Sequence, residues 1–319
     1  MTKTTPPIAA LTLLLGCALH GAPAQAQLSR TFVSAAAGSD GNNCDRPTPC
    51  RSFQAAHDKT NPDGEITVLD IGGFGAIKIT KSISIVNDGV GEASILVSGG
   101  ATGITVQGGA TTNVNLRGLT VQGIGFGGGT GMVFVGGSAL TITNCVFRNL
   151  GSDGIFFTPQ AGATTRLAIS DTLLADNGNT GIRVQPGTNV ALQIAFDGIR
   201  AVNNRLDGVV LFNGPGPTNA TIANSVSANN GGDGFLVASN GERDGVTALT
   251  LVGSVAANNQ NVGVWAAGSS KAVVRMSQSA VAGNSISWAA TLGVLQSLGD
   301  NYIAGNADGD PAPPTIAAK

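Results

Sequence analysis

Asn224-Ser-Val-Ser-Ala-Asn-Asn230-Gly-Gly-Asp-Gly234-Phe-Leu-Val237 joins a turn residue, a short apolar run, an Asn-Asn pair, an Asp-Gly turn and a second apolar run. The same order recurs on both sides of it. With the turn residue as anchor, copies begin at Asn144, Asp171, Asp197, Asn224, Gly253 and Gln278, spaced 25 to 29 residues apart. Two positions on stands an apolar residue (Val146, Leu173, Ile199, Val226, Val255, Ala280). Six positions on stand Leu150, Asn177, Asn203, Asn230, Asn259 and Asn284. Ten on, or eleven once, comes a glycine (Gly154, Gly181, Gly208, Gly234, Gly263), each followed by an apolar residue. Columns that stay in register over five or six copies are the mark of a solenoid. Within each copy, runs such as Leu140-Thr-Ile142, Leu167-Ala-Ile169 and Leu249-Thr-Leu251 alternate with the period of a strand. Leu192 and Ile194 arrive early relative to Asp197, which predicts a β-bulge in that coil.

Parallel coils stack at about 4.8 Å, which sets like residues above one another. Asn177, Asn203, Asn230, Asn259 and Asn284 are therefore expected to form an amide ladder. Weaker copies extend earlier through Ile83-Ser-Ile85, Ile104-Thr-Val106, Val114-Asn-Leu116 and Met132-Val-Phe134, and the last coil ends near Ile303. The chain divides into a leader (1–26), an N-terminal cap with the first coil (27–82), the coils (83–305) and a tail (306–319) that reads as loose from Pro311.

Composition agrees with an all-β solenoid: 47 glycines and 42% hydrophobic residues, but only 11% charged and 4% aromatic. Lys3, the apolar run Ile8 to Leu19 and Ala24-Gln-Ala26 form a secretory signal cleaved before Gln27; Leu14-Leu-Gly-Cys17 is a rival lipoprotein box. Cleavage removes only Lys3, leaving 16 basic against 19 acidic residues. That balance excludes nucleic acid and anionic membrane as main partners. The apolar run is too short for a transmembrane span, so the expected location is secreted, periplasmic or cell envelope. Cys44 and Cys50 flank a stiff loop and, in an oxidising compartment, are expected to form a disulfide, with Cys145 a packed thiol.

With its asparagine ladder, the repeat resembles the right-handed parallel β-helix proteins of the pectate-lyase-like superfamily. Thr31-Phe-Val-Ser34, Pro49-Cys-Arg-Ser-Phe-Gln-Ala-Ala56 and Gly64-Glu-Ile-Thr-Val68 resemble the cap of secreted members, where a strand and a short amphipathic helix precede the first coil. Such a cap covers the open edge and the apolar bore. The resemblance implies architecture; members include lyases, hydrolases, epimerases and adhesins.

Candidate chemistry is sparse. Asp207 and Asp233 precede glycines in adjacent coils and are the candidate catalytic pair, at a spacing near that of retaining glycosidases, although Asp-Gly is also a favoured turn dipeptide. No cofactor is required; calcium is a candidate at Asp171 and Asp197, with Arg183 and Arg200 nearby, or at Asp40, Asn42 and Asp45. The hydrolase motifs of the superfamily are absent, and His57 on the cap helix is read as solvated or capping. In the strand after each glycine the outward column is Phe156, Arg183, Val210, Leu236 and Trp265. Its apolar character suits an extracellular or envelope polysaccharide, a protein partner or self-association. The preferred reading is an exported carbohydrate-binding or adhesive β-helix; the alternative is a polysaccharide lyase or glycoside hydrolase.

Overall fold

The computed structural model describes Thr2 and residues 28–124, 127–160, 164–239, 241 and 245–317. The expected leader therefore lies outside the described residues, except for Thr2. One coil shows the plan. Ala139–Thr143 lies in sheet 1, Val146–Arg148 in sheet 2 and Ile155–Phe157 in sheet 3, and the chain returns to sheet 1 as Thr164–Ser170. Leu140 pairs in parallel with Leu167, and Ile142 with Ile169. Repetition builds sheets of 11, 10 and 9 described strands around one bore.

Alternation along each strand sorts the side chains. Leu140, Ile142, Ile155 and Phe157 point into the bore and are buried, while Thr141 and Phe156 point out. Phe134 and Phe157 stack between coils with ring centroids 4.5 Å apart. Each such buried Leu, Ile or Phe contributes roughly 1.5–3 kcal/mol.

The asparagine ladder is present, with one member corrected. The rungs are Asn177, Asn204, Asn230, Asn259, Asn284 and Asn306. In each step Nδ2 donates to the next rung's Oδ1 at 2.9–3.0 Å, and the backbone N–H of the same residue donates to that oxygen. Nδ2 also reaches a carbonyl of sheet 2, as Asn204 does to Leu174 at 3.2 Å. Asn203 is not a rung. Its φ of 55° places it with Asp176, Asn229 and Asn258 in the left-handed turn position, where the side chain faces solvent.

The same one-residue offset removes the expected bulge. Thr164 to Ser170 pair one for one with Ala191 to Asp197, and Leu192 to Asp197 with Thr218 to Ala223. The turn residue of that coil is Gly198 (φ 65°), in column with Asp171 and Asn224 (φ 48° each), and Asp197 is the last residue of its strand. Arg200, not Ile199, accordingly pairs with Leu173 and Val226. That sheet 2 column points outward.

The glycine column has a steric cause. A Cβ on Gly154, Gly181, Gly208 or Gly234 would come within 2.5–2.9 Å of the next coil's glycine carbonyl oxygen. A second ladder follows the turn residue: Cys145 N–H donates to Thr172 Oγ1, Ser225 N–H to Ser254 Oγ and Ser254 N–H to Ser279 Oγ. Cys145 is the packed thiol expected, and burial pushes it up to about 11.

Both ends are closed. Strand Leu28–Val33 joins the edge of sheet 1, and helix Phe53–Lys59, N-capped by Ser52, lays Phe53, Ala56 and His57 against the first strands. Cys44 and Cys50 are disulfide-bonded. At the other end the tail is bonded, not loose. Trp288 Nε1 donates to Pro311 O at 2.8 Å, and Ser297 bridges to Thr315. Asp310 imitates a further rung: its Oδ1 receives both Nδ2 and the backbone N–H of Asn306 at 2.8 Å. Those bonds hold its carboxyl below the usual range.

Two outcomes follow. Asn204→Ala strips the acceptor from two Asn177 donors and is expected to cost about 1–3 kcal/mol in urea unfolding, whereas Asn203→Gly, keeping the left-handed turn, should change stability by less than about 0.5 kcal/mol. Equal effects would place the rung wrongly. Asp310→Ala should lower the urea midpoint at pH 7. Because the folded state depresses this pKa, the charge-dependent part of the difference from wild type is full above about pH 4 and is lost as pH falls through the folded value.

Candidate functional site

Sheet 3 carries the predicted outward column. Val133, Phe156, Arg183, Val210, Leu236, Trp265 and Ala289 occupy successive rungs of one parallel register. Phe156, Arg183, Leu236 and Trp265 are partly exposed. Val210 is only 1% exposed, between its longer register neighbours Arg183 and Leu236, so it offers no contact surface. The Arg183 guanidinium lies 4.1 Å from the centre of the Phe156 ring. Trp265 Nε1 donates to Thr291 Oγ1 at 3.2 Å.

The acids of the Asp-Gly turns run beside this column. Arg183 Nη2 sits 2.8 Å from Asp153 Oδ2, which ties the two columns together. Asp153, Asp207 and Asp233 share one register, since their carbonyls receive the N–H of Gly131, Gly181 and Gly208 in turn. One oxygen of each acid does structural work. Asp153 Oδ1 accepts from Thr180 N and Asn179 Nδ2, Asp207 Oδ1 from Asp233 N at 2.8 Å, and Asp233 Oδ1 from Val262 N and Asn261 Nδ2. The turn reading thus holds for Oδ1. Among the described residues no donor engages Oδ2 of Asp207 or Asp233.

Burial raises all three carboxyls. It outweighs the Arg183 charge at Asp153, and at Asp207 it is joined by the repulsion of Asp153. Asp233, 3% exposed, is pushed up to about 6, by burial first and by the Asp207 charge besides.

The other predicted residues do not assemble. Asp40 Oδ1 receives the N–H groups of Arg51 and Ser52, Asp45 Oδ1 the N–H and the Oγ1 hydroxyl of Thr48, and Asn42 Nδ2 donates to Pro49 O. The cation in this loop is the Lys59 ammonium, bonded to the carbonyls of Asp40 and Asn42. These residues therefore do not fit calcium. Asp171 and Asp197 are not stacked, because Asp197 pairs with Ser170, and Arg183 and Arg200 lie on different sheets. Among the described residues no group of three His, Cys, Asp or Glu is gathered to hold a metal ion. His57 is buried rather than solvated, with Nε2 accepting from Thr80 N at 3.3 Å.

Residues 102–286, more than half of the chain, match the family described as right handed beta helix region. Among solved structures, pectate lyase Pel9A superposes with a TM-score of 0.67 at 19% identity, over 91% of this chain and 77% of that one. A rhamnogalacturonan lyase superposes with a TM-score of 0.50 at 15% identity, over 80% and 74%. Both likenesses are of fold. No curated protein sequence matches the chain.

The raised Asp233 carboxyl has a measurable sign. The folded state holds this proton more tightly than an unfolded chain, so its contribution is complete below about pH 4 and is lost as pH rises through about 6. Asp233→Asn keeps the Oδ1 acceptor without the charge. It is expected to stabilise the protein at pH 8 by on the order of 1–2 kcal/mol and to flatten the stability profile between pH 4 and 7. An unchanged profile in urea unfolding would show that the carboxylate is already well solvated.

Proposed function

The chain belongs to the right-handed β-helix family, and on that premise we propose that it is an exported protein that binds a carbohydrate through the outer face of sheet 3. The observation that carries this reading is the pairing of two columns, partly exposed Phe156, Leu236 and Trp265 beside the free carboxylate oxygens of Asp207 and Asp233. A sugar ring presents C–H faces that stack on aromatic and aliphatic side chains, and hydroxyls that need acceptors. Polysaccharides are the first ligands to test, since two structural neighbours are named as a pectate lyase and a rhamnogalacturonan lyase. The leader pattern and the Cys44–Cys50 disulfide support export. Among the described residues no helix is long and apolar enough to cross a membrane.

Hydrolysis is the second reading. It is favoured by the stacking of Asp207 and Asp233 in adjacent coils, one with a carboxyl raised to about 6, as a proton donor beside a partner requires. The columns separate the readings. In calorimetric titration with soluble polysaccharides, Trp265→Ala and Phe156→Ala are each expected to weaken binding about tenfold, near 1.4 kcal/mol, while Thr250→Ala on sheet 1 leaves it unchanged. Affinity indifferent to both aromatic changes would remove sheet 3 as the site. Reducing ends released by wild type and abolished by Asp207→Asn would move the assignment to hydrolysis.

A further inference from the structure

We infer that the sheet 3 strip is selective for neutral pyranosides and rejects polyuronates, an inference that rests on reading this face as a carbohydrate site. The charges along the strip point that way. Its one arginine is committed: Arg183 Nη2 is 2.8 Å from Asp153 Oδ2, and its guanidinium lies over the Phe156 ring. It is not free to clamp a ligand carboxylate. Arg205, two residues before Asp207, lines a separate cleft of about 360 Å³ with Asp176 and Asn203. Among the described residues Asp207 and Asp233 thus have no cation beside them, and they lie one coil or about 4.8 Å apart.

Asp233 is buried, Asp207 half-buried, and their Oδ1 atoms are fixed to the next coil's backbone, so neither can swing away. A uronate stacked on Trp265 and Leu236 would bring its own carboxylate to partly desolvated anions, where like-charge repulsion is strongest. A neutral pyranoside meets the same oxygens differently. Its hydroxyls donate to Oδ2, in hydrogen bonds strengthened by the acceptor's charge. The overall charge of −2 adds a weaker bias in the same direction.

The test titrates the mature protein calorimetrically with hexasaccharides of galactose, mannose and xylose, and with hexasaccharides of galacturonate and mannuronate. At low ionic strength at least one neutral oligomer is expected to bind at least about tenfold more tightly than either uronate, about 1.4 kcal/mol. Salt near 1 M, which shortens the screening length to about 3 Å, should shrink the ratio. Asp207→Asn/Asp233→Asn should gain about tenfold in uronate affinity; if the double variant does not fold, Asp207→Asn alone should move the ratio the same way. Uronates binding as tightly as the neutral oligomers, or a ratio unmoved by the substitutions, overturns the inference and leaves the carbohydrate reading standing. Binding of none of the oligomers removes both.

Discussion

Everything in this molecule depends on how the turn between sheets 2 and 3 satisfies its own backbone. In a sheet the next strand receives each N–H, but a turn has no such ladder, and an unpaired buried N–H costs about as much as a lost hydrogen bond. Here an asparagine from the next coil supplies the acceptor, and its amide hydrogens are taken by the following rung and by a sheet 2 carbonyl. One side chain per coil joins three coils together. The close approach this needs excludes any side chain at the neighbouring glycine column, which is why rung and glycine recur together.

A periodic bond needs an end. Asp310 supplies it, presenting a carboxylate oxygen where the next asparagine would have been, while Trp288 and Ile303 pack against the core of the last coils. At the other end the helix Phe53–Lys59 and the Phe53–Phe74 contact, ring centroids 5.0 Å apart, cover the first coil. The helix at one end and the bonded tail at the other cover part of the open edges, the usual route to edge-to-edge association.

The repeat and four of the six rungs could be placed from residue spacing, with a fifth off by one residue in a single coil, because a parallel stack writes its geometry as columns; the cap followed from the resemblance. The offset came from taking Asp197 as the turn residue when Gly198 fills it. Both suit the left-handed conformation, and only the distance to the following glycine, ten residues in every other coil, tells them apart. Asn306 and Asp310 were hidden because Pro and Ala around them read as a tail, although a rung needs only the amide. The site was less legible. That Phe156 and Trp265 face outward follows from alternation, but that Arg183 reaches Asp153, or that Val210 is enclosed, depends on neighbours one coil away. The Asp40 loop read as cation-binding because no spacing rule shows that Lys59, seventeen residues beyond Asn42, returns to the same carbonyls.

The three faces differ in what they turn toward solvent. All share one bore, so their inward residues are constrained alike, and only the outward ones vary freely. Sheet 1 turns out Thr141, Gln193, Asn219 and Thr250, polar and mostly exposed, groups that water already satisfies. Sheet 2 turns out Val146, Val226 and Val255 on three-residue strands, with Arg148 bonded to Gln122 Oε1 beside them. Sheet 3 sets large apolar side chains beside carboxylates held by the scaffold. The Asp-Gly turn serves the stack first: the Oδ1 that fastens one coil to the next also fixes the carboxylate, so at the partly exposed Asp207 a bond made for stability holds an acceptor in place.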